Sequence, residues 1–167
     1  MMLQDAKNIV EDKIEILRPH CERIESAGSV RRGKREVEDV EIVCIPKLKE
    51  STTQRTIQWI NRVLELGTII KGKPRDGKYI KIHLPEGINL DLFVARPENW
   101  GYIFAIRTGS ADYSHYVLAT SWVKAGYVGG NGMLTKNGIP VEVREERDLF
   151  RLIGVKYVKP EDREVWV

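Results

Sequence analysis

The sequence predicts an α+β fold in which a mixed or antiparallel sheet is flanked by helices and followed by a small C-terminal α/β lobe. Three patterns support this class. Apolar residues recur at helical spacing near the N-terminus, a β-branched run, VEIVCI, starts at Val40, and residues 68–94 alternate apolar and polar side chains between turns. A helix, a buried strand and a meander in this order indicate an α+β arrangement.

The composition fits one domain or two small lobes. The 167 residues are 42% hydrophobic and 31% charged, so they can bury a core. No run approaches about 18 consecutive apolar residues, and the N-terminal segment lacks the apolar run of a signal peptide. We therefore expect a soluble, cytoplasmic protein with no membrane partner.

Cysteine and histidine spacing argues against zinc and thiol chemistry. Cys21, Cys44 and the three histidines form no CxxC, HxxxH or HExxH pattern. A disulfide between the two cysteines stays open, although a reducing compartment disfavours it.

The first half of the chain contains two predicted helices around one predicted strand. Helical apolar spacing predicts a helix over residues 5–17, and the run over residues 40–46 predicts a strand buried on at least one face. For the second helix, Ser51 or Thr52 is the expected cap and Gly67 the expected stop. The apolar stripe of this helix is expected to be Ile57, Ile60, Val63 and Leu64.

Turn signals divide the rest of the chain. In the last segment of the meander, residues 88–94, alternate side chains share a face, so Asn89, Asp91 and Phe93 lie opposite the apolar residues. Pro97 suits the first turn of a helix, and another helix is predicted over residues 111–124. The glycine-rich remainder, with an acidic helix start at Glu145 and Glu146, predicts the separate C-terminal lobe.

Three acidic residues, Asp39, Glu41 and Asp91, lie on or beside apolar strands. Asp39 and Glu41 are two residues apart, so on a strand they project from one face about 6.5–7 Å apart. Acids beside buried apolar residues are costly unless a metal or basic groups compensate them, and a magnesium site with oxygen ligands would do so. The alternative is that the strands are half exposed and the acids face water.

Basic residues form two clusters. The segment GSVRRGKREVEDVEIV places a glycine turn, a hydroxyl and four cations immediately before the acids: Arg31, Arg32, Lys34 and Arg35. The second cluster lies in the meander and comprises Lys71, Lys73, Arg75, Lys78 and Lys81. Phosphate-binding groups next to metal-binding groups are what a nucleoside triphosphate with Mg²⁺ requires.

The segment from Gly28 to Lys34 also has the G-x-x-x-x-G-K opening of a P-loop. Arg35 stands where a P-loop needs Ser or Thr. The preceding CERIESA is expected to make a poor buried strand, and a strand rather than a helix is expected to follow. We therefore reject a P-loop.

GSVRRGK followed by DVE resembles the GS-x-RRGK…DxD signature of DNA polymerase family X, the group that includes polymerase β, in the nucleotidyltransferase superfamily. INLDLF, WGYIFAIRTGS and EERDLFRLIGVKYVKPEDRE resemble, in the same order, the third-carboxylate strand, the TGS turn and the closing thumb sequence of that family. The resemblance implies a nucleotidyltransferase palm over residues 1–107 and a thumb-like lobe over residues 108–167.

The resemblance also implies site residues. Gly28, Ser29 and Arg32 would hold the β and γ phosphates of a nucleoside triphosphate, and the Thr108-Gly109 turn would lie under its sugar and base. Two Mg²⁺ ions, for which Mn²⁺ can substitute, would bind the three carboxylates, Asp39, Glu41 and Asp91. As alternatives, Gly28-Ser29 is a plain helix-to-strand turn and Thr108-Gly109-Ser110 a helix cap.

The implied reaction is attack of a DNA 3′-hydroxyl, on a primer or gapped duplex, on the α-phosphorus of the nucleotide, in a repair or gap-filling role. The protein is expected to act as a monomer. The remaining basic residues would contact DNA phosphates without reading bases: Arg31, Lys34, Arg35, Lys71, Lys73, Arg75, Lys78 and Lys81. The alternative for the meander cluster is a solvated hairpin face.

Three features depart from the family pattern. Glu41 replaces the usual Asp, and Ile106 and Arg107 replace two aromatic residues of polymerase β, which leaves selection between deoxyribo- and ribonucleotides open. The lyase and helix-hairpin-helix domains are expected to be missing. Two rival functions remain: transfer to RNA, protein or a small molecule, which does not need a thumb, and an inactive DNA-binding module, which would be expected to have lost an acid.

Overall fold

The computed structural model describes residues 1–165, so the last two residues of the predicted C-terminal lobe lie outside the described part. The chain forms two compact units, Met1–Ala95 and Arg96–Val167. This division falls before the 107/108 boundary that the family resemblance implies, so the helix that ends at Thr108 belongs to the second unit. Both units contain helices and a sheet, which confirms the α+β class.

The first unit is built on a five-stranded mixed sheet with strand order β1-β2-β5-β4-β3. In chain order the strands are β1 Cys21–Ala27, β2 Val40–Pro46, β3 Thr68–Lys71, β4 Tyr79–His83 and β5 Asn89–Val94. The central strands β2 and β5 are parallel, whereas every other neighbouring pair is antiparallel. The predicted meander over residues 68–94 is thus confirmed.

The helices of the first unit are α1 Leu3–Leu17, the short α2 Gly28–Arg31 and α3 Ile57–Leu66, with a 3₁₀ turn at Arg18–His20. Buried side chains of α1 and α3 share one hydrophobic core with alternate residues of the sheet, including Ile42, Leu90 and Leu92. Burying each such side chain contributes about 1.5–3 kcal/mol. The core therefore lies on one face of the sheet, and the residues between, Glu41 and Asp91, point to the other.

The predicted cap of α3 is wrong. The helix starts after Thr56, whose hydroxyl oxygen accepts a hydrogen bond from the Trp59 amide at 3.3 Å. Ser51 and Thr52 cannot cap it because residues 47–56 fold back on themselves: the Lys49 amide donates to the Gln54 carbonyl at 2.7 Å, and the Thr56 amide to the Lys47 carbonyl at 3.0 Å.

The predicted apolar stripe of α3 is half right. Ile60 and Val63 are buried, but Ile57 and Leu64 are exposed. Their places in the core are taken by Trp59 and Leu66, since the observed helix turns a different face to the sheet.

The segment CERIESA forms a strand that is only partly buried, in agreement with the expectation of a poor buried strand. It forms β1 at the edge of the sheet, where burial of Cys21, Ile24 and Ala27 is sufficient because an edge strand packs against one neighbour. As expected, the element that follows the Gly28–Lys34 segment is a strand, β2, and the segment itself contains only the 4-residue helix α2. A P-loop continues into a longer helix, so the rejection of that motif stands.

The second unit contains both helices and a small sheet. Its helices are α4 Trp100–Thr108, α5 Ala111–Tyr113, α6 Thr120–Lys124 and α7 Glu146–Ile153, with a π-helical segment Ser114–Ala119 and a 3₁₀ turn Pro160–Asp162. Its antiparallel sheet consists of β6 Val128–Gly130, β7 Met133–Lys136 and β8 Ile139–Val141. No helix within residues 1–165 is long and apolar enough to cross a membrane.

Candidate functional site

Glu41 and Asp91 lie side by side on the open face of the first sheet. They are direct partners in the register of the parallel strands β2 and β5. Neighbouring strands are about 4.8 Å apart, and partners in register project from the same face, so the two carboxylates leave the sheet together. Both side chains are half-buried. The fold therefore brings Glu41 and Asp91 together on one face of the sheet.

Asp39 lies in a bend immediately before β2, which begins at Val40. The alternation rule that predicts a common face for Asp39 and Glu41 applies within a strand, so it does not fix the direction of Asp39. Within residues 1–165, no three His, Cys, Asp or Glu side chains are grouped closely enough to hold a metal ion. The structure thus presents an in-register acid pair with the third acid at the start of the strand.

Tyr79 joins the acids. Its hydroxyl donates a hydrogen bond to Asp91 Oδ1 at 2.5 Å, and its ring stacks on Phe93 with centroids 5.2 Å apart. Burial raises the pKa of Tyr79 well above its ordinary value, and the hydrogen bond to Asp91 and the negative charges of Asp91, Asp39 and Glu41 raise it further. All three predicted acids therefore act electrostatically on one phenol.

The sequence patterns did not identify Tyr79 as a site residue, although its spacing from Lys81 could have indicated it. Tyr79 and Lys81 are two residues apart on β4 and share a face, and Lys81 is the register partner of Asp91. A basic residue beside an acid pair lowers the cost of holding two like charges together. The structure thus places Lys81, predicted to contact DNA, next to the acids.

Gly28 lies directly against Glu41. A Cβ atom built on Gly28 would lie 2.5 Å from both Cδ and Oε2 of Glu41, which is far inside van der Waals contact. The backbone φ of Gly28 is +60°, a conformation that side chains strongly disfavour. Position 28 therefore needs glycine for two reasons, and the predicted phosphate-binding turn adjoins the acid pair.

Hydrogen bonds close the turn that follows Gly28. The Arg32 amide donates to the Gly28 carbonyl at 3.0 Å, and the Lys34 amide donates to the Ser29 carbonyl at 3.0 Å. Arg31 and Arg32 follow on the same short turn and are half-buried, as is Lys34. The turn connects β1 to β2, and Ser29 directly follows Gly28, which lies against Glu41.

The second basic cluster forms the hairpin between β3 and β4, hereafter the basic hairpin. Four of its five cations are exposed, whereas Lys81 is half-buried; the exposed ones are Lys71, Lys73, Arg75 and Lys78. Arg35, from the first cluster, is also exposed. These side chains therefore lie at the surface of the first unit.

Thr108 and Gly109 belong to the second unit. Thr108 is fully buried, and its hydroxyl donates to the Phe104 carbonyl at 2.7 Å, so this side chain is used inside its own helix. Gly109 has φ +71° and ends α4. Ser110 caps α5 by accepting from the Tyr113 amide at 3.2 Å, which is the structural role that the helix-cap alternative assigns to this turn.

A buried ion pair closes the second unit. Arg163 is fully buried, and its Nη1 donates to Glu146 Oε2 at 2.6 Å while its Nε donates to the Val158 carbonyl at 2.9 Å. The Arg163 carbonyl accepts from the Ser110 amide at 3.0 Å. The C-terminal segment thereby supports the turn after Gly109.

The side chains of the acid pair offer carboxylate oxygens as ligands for Mg²⁺. Carboxylate oxygens are the ligands this ion prefers. Glu41 and Asp91 are in register, and the bare backbone of Gly28 makes room for the Glu41 carboxylate. The residues fit the ion in chemistry, with a ligand pair formed in the fold and Asp39 next to it.

Comparison with known proteins adds one relation. Residues 106–164 match the family model described as DNA polymerase beta thumb. A search of curated proteins gives no match. The matched segment covers less than half of the chain and lies inside the second unit, with Glu146 and Arg163 in it. The second unit is therefore related to the thumb of DNA polymerase β.

Proposed function

We propose that this protein is a magnesium-dependent nucleotidyltransferase that adds nucleotides from nucleoside triphosphates to a DNA 3′-hydroxyl, in a repair or gap-filling role. One observation carries the proposal. Glu41 and Asp91 lie side by side on the neighbouring parallel strands β2 and β5, and the Gly28 turn lies against Glu41. The thumb match over residues 106–164 supports a polymerase over other transferases.

Each part of the site has a role in this reaction. Asp39, Glu41 and Asp91 would hold two Mg²⁺ ions, which would supply Lewis-acid chemistry: a lower pKa for the attacking hydroxyl and compensation of charge on the phosphates. The turn at Gly28 and Ser29, with the Arg32 guanidinium, holds the β and γ phosphates through charge-assisted contacts.

Asp91 has a second role, because it receives the Tyr79 hydrogen bond. Tyr79 donates to Oδ1, so it fixes the rotation of the carboxylate and leaves Oδ2 for a ligand or for the 3′-hydroxyl.

DNA contact is assigned to the exposed cations of the basic hairpin and to Arg31, Lys34 and Arg35. Lys and Arg contacts to phosphates give affinity without sequence preference, which suits an enzyme acting on any primer end. Lys81 is the register partner of Asp91, so it is better placed to balance the charge of that carboxylate than to contact a DNA strand.

A second candidate is an inactive DNA-binding module. It is favoured by the lack of a three-ligand cluster in residues 1–165 and by the engagement of Asp91 with Tyr79. Against it, all three acids are retained. Transfer to a non-DNA acceptor is the third reading, and the thumb match disfavours it because such a transferase has no use for a thumb.

One assay separates these readings. The full chain is incubated with Mg²⁺, each nucleoside triphosphate and labelled primed, gapped or single-stranded DNA, alongside Asp91→Asn as the matched control. Extension of DNA by the wild-type protein and not by the variant supports the proposal. DNA binding without extension identifies the binding module, and nucleotide consumption without DNA extension identifies another acceptor.

A further inference from the structure

A cavity of about 320 Å³ lies in the first unit, away from the acid pair. It is bounded by the loop between β2 and α3, by the first turn of α3 and by the tip of the basic hairpin. Its walls carry three cations and one acid, Lys49, Arg55, Arg75 and Asp76. Ile57 and Ile60 supply an apolar floor. None of these residues has a role in the proposed transfer site except Arg75, which was assigned to DNA.

The loop wall is ordered. The Lys49 amide donates to the Gln54 carbonyl at 2.7 Å, and Leu48 and Arg55 form an isolated β-bridge. The Thr52 amide donates to the Lys49 carbonyl at 3.1 Å, and Ser51 takes a positive φ of 60° to close this small turn. Lys49 therefore lies on a small hydrogen-bonded hairpin rather than on an irregular loop.

Arg55 ties the two walls together. Its Nη1 donates to the Pro74 carbonyl at 2.7 Å and its Nη2 to the Gly77 carbonyl at 2.8 Å. Its guanidinium also lies over the Trp59 ring, 5.3 Å from the centroid. The tip of the hairpin is closed by a hydrogen bond from the Gly77 amide to the Lys73 carbonyl at 2.7 Å. Because Arg55 holds this tip in place, Arg75 lines the cavity.

The charge on Arg55 is incompletely compensated. Its Nη1 and Nη2 donate to carbonyl dipoles, and burial lowers the pKa of its guanidinium, with Cys44 and Asp76 acting in the opposite direction. A partly buried cation of this kind is stabilised by an anion brought close to it. With Lys49 and Arg75, it gives the cavity a net positive lining against the single Asp76.

We propose that this cavity binds a phosphate group attached to a nucleoside, as a second nucleotide-binding site separate from the acid pair. The volume lies at the lower end of the range for small-molecule sites and exceeds what a phosphate alone needs. Guanidinium and ammonium groups select phosphate, and the apolar floor of Ile57 and Ile60 suits a sugar or base. The phosphate comes either from a free nucleotide or from a DNA strand.

The test uses the full chain in EDTA, so that binding through a metal at the acids is removed. Isothermal titration is performed with inorganic phosphate, deoxyadenosine, deoxyadenosine monophosphate and short oligothymidylates with and without a 5′-phosphate. Amide NMR shifts on residues 47–57 locate the site. We expect deoxyadenosine monophosphate or the 5′-phosphorylated oligomer to bind with much higher affinity than deoxyadenosine. Whichever of these two phosphorylated ligands binds more tightly identifies the source of the phosphate.

Two matched variants decide the outcome. Lys49→Gln with Arg75→Gln removes two cations from the cavity, whereas Lys7→Gln with Arg18→Gln removes two exposed cations of the same unit that neither line the cavity nor have an assigned DNA contact. We expect about a tenfold or greater loss of affinity in the first pair and little change in the second. Equal losses in both pairs, equal binding of deoxyadenosine, or shifts confined to other residues would overturn the proposal. Because no transfer is measured, this result is independent of the proposed reaction.

Discussion

Replacing Gly28 by alanine tests the contact on which the candidate site depends. The new Cβ would lie 2.5 Å from Cδ of Glu41, and the backbone has φ +60°. Gly33 offers a matched control, because its φ is +70° and a Cβ there would meet nothing within 4 Å. Gly33→Ala therefore carries the backbone cost alone, whereas Gly28→Ala adds the clash with the carboxylate.

The two costs can be separated in magnitude. A left-handed backbone costs an L-residue about 1–2 kcal/mol, which applies to both variants. Overpacking in a filled site costs a further 1–3 kcal/mol, roughly, which applies to Gly28→Ala. We therefore expect the free energy of unfolding to fall by about 1–3 kcal/mol more in Gly28→Ala than in Gly33→Ala, with DNA extension lost in the former because Glu41 is displaced.

Urea unfolding of both variants, in the wild-type and in a Glu41→Ala background, measures this difference. Alanine at position 41 removes Cδ and both oxygens, so the extra cost of Gly28→Ala should disappear there, as a double-mutant cycle requires of a direct contact. Equal costs for the two glycine variants would refute the reasoning. So would an extra cost that persists without the Glu41 carboxylate.

Four further outcomes are expected from the site. Asp91→Asn should abolish transfer and leave thermal stability equal or higher, since it relieves repulsion within the acid pair; wild-type turnover would remove Asp91 from the site. Arg32→Ala should raise the nucleotide KM about tenfold or more with little effect on DNA affinity, because a guanidinium–phosphate contact contributes roughly 1.5–3 kcal/mol; loss of DNA affinity alone would reassign Arg32 to the DNA. Tyr79→Phe keeps the ring on Phe93 but removes the hydrogen bond to Asp91 Oδ1, so the Mg²⁺ concentration at half-maximal activity should fall. An unchanged Mg²⁺ concentration would show that Tyr79 does not affect metal binding by Asp91. Neutralising three exposed cations of the basic hairpin should flatten the salt dependence of duplex binding by about 0.9 log–log units per lost phosphate contact, and an unchanged slope would show a solvated face; these are Lys71, Lys73 and Lys78.

The faces of the individual strands were predictable from the sequence. Alternation in residues 88–94 placed Asp91 opposite Leu90 and Leu92, and the structure confirms that arrangement because those leucines are fully buried. What alternation cannot supply is the pairing partner. The parallel register of Glu41 with Asp91 joins residues far apart in sequence, and it is set by the whole sheet rather than by a local signal.

Local signals failed where two local structures compete. Ser51 and Thr52 are good helix caps by residue type, yet the chain from Lys47 to Thr56 first closes a small hairpin with its own hydrogen bonds. The helix can begin only after that hairpin ends, at Thr56. The role of Arg55 was invisible for the same reason, since its two carbonyl partners lie in a turn about twenty residues away.

The register of the sheet explains why three separately predicted features fall in one place. A single row of partners crosses all five strands: Ala27 pairs with Glu41, Glu41 with Asp91, Asp91 with Lys81, and Lys81 with Lys71. The row starts one residue before the Gly28 turn, passes through the acid pair and ends on the basic hairpin. Because side chains alternate with period two, a slip of one residue in any pairing would turn that part of the row to the core face. Burial of the hydrophobic core on the opposite face therefore sets the register of the strands. The register in turn aligns the proposed phosphate, metal and DNA contacts along one row.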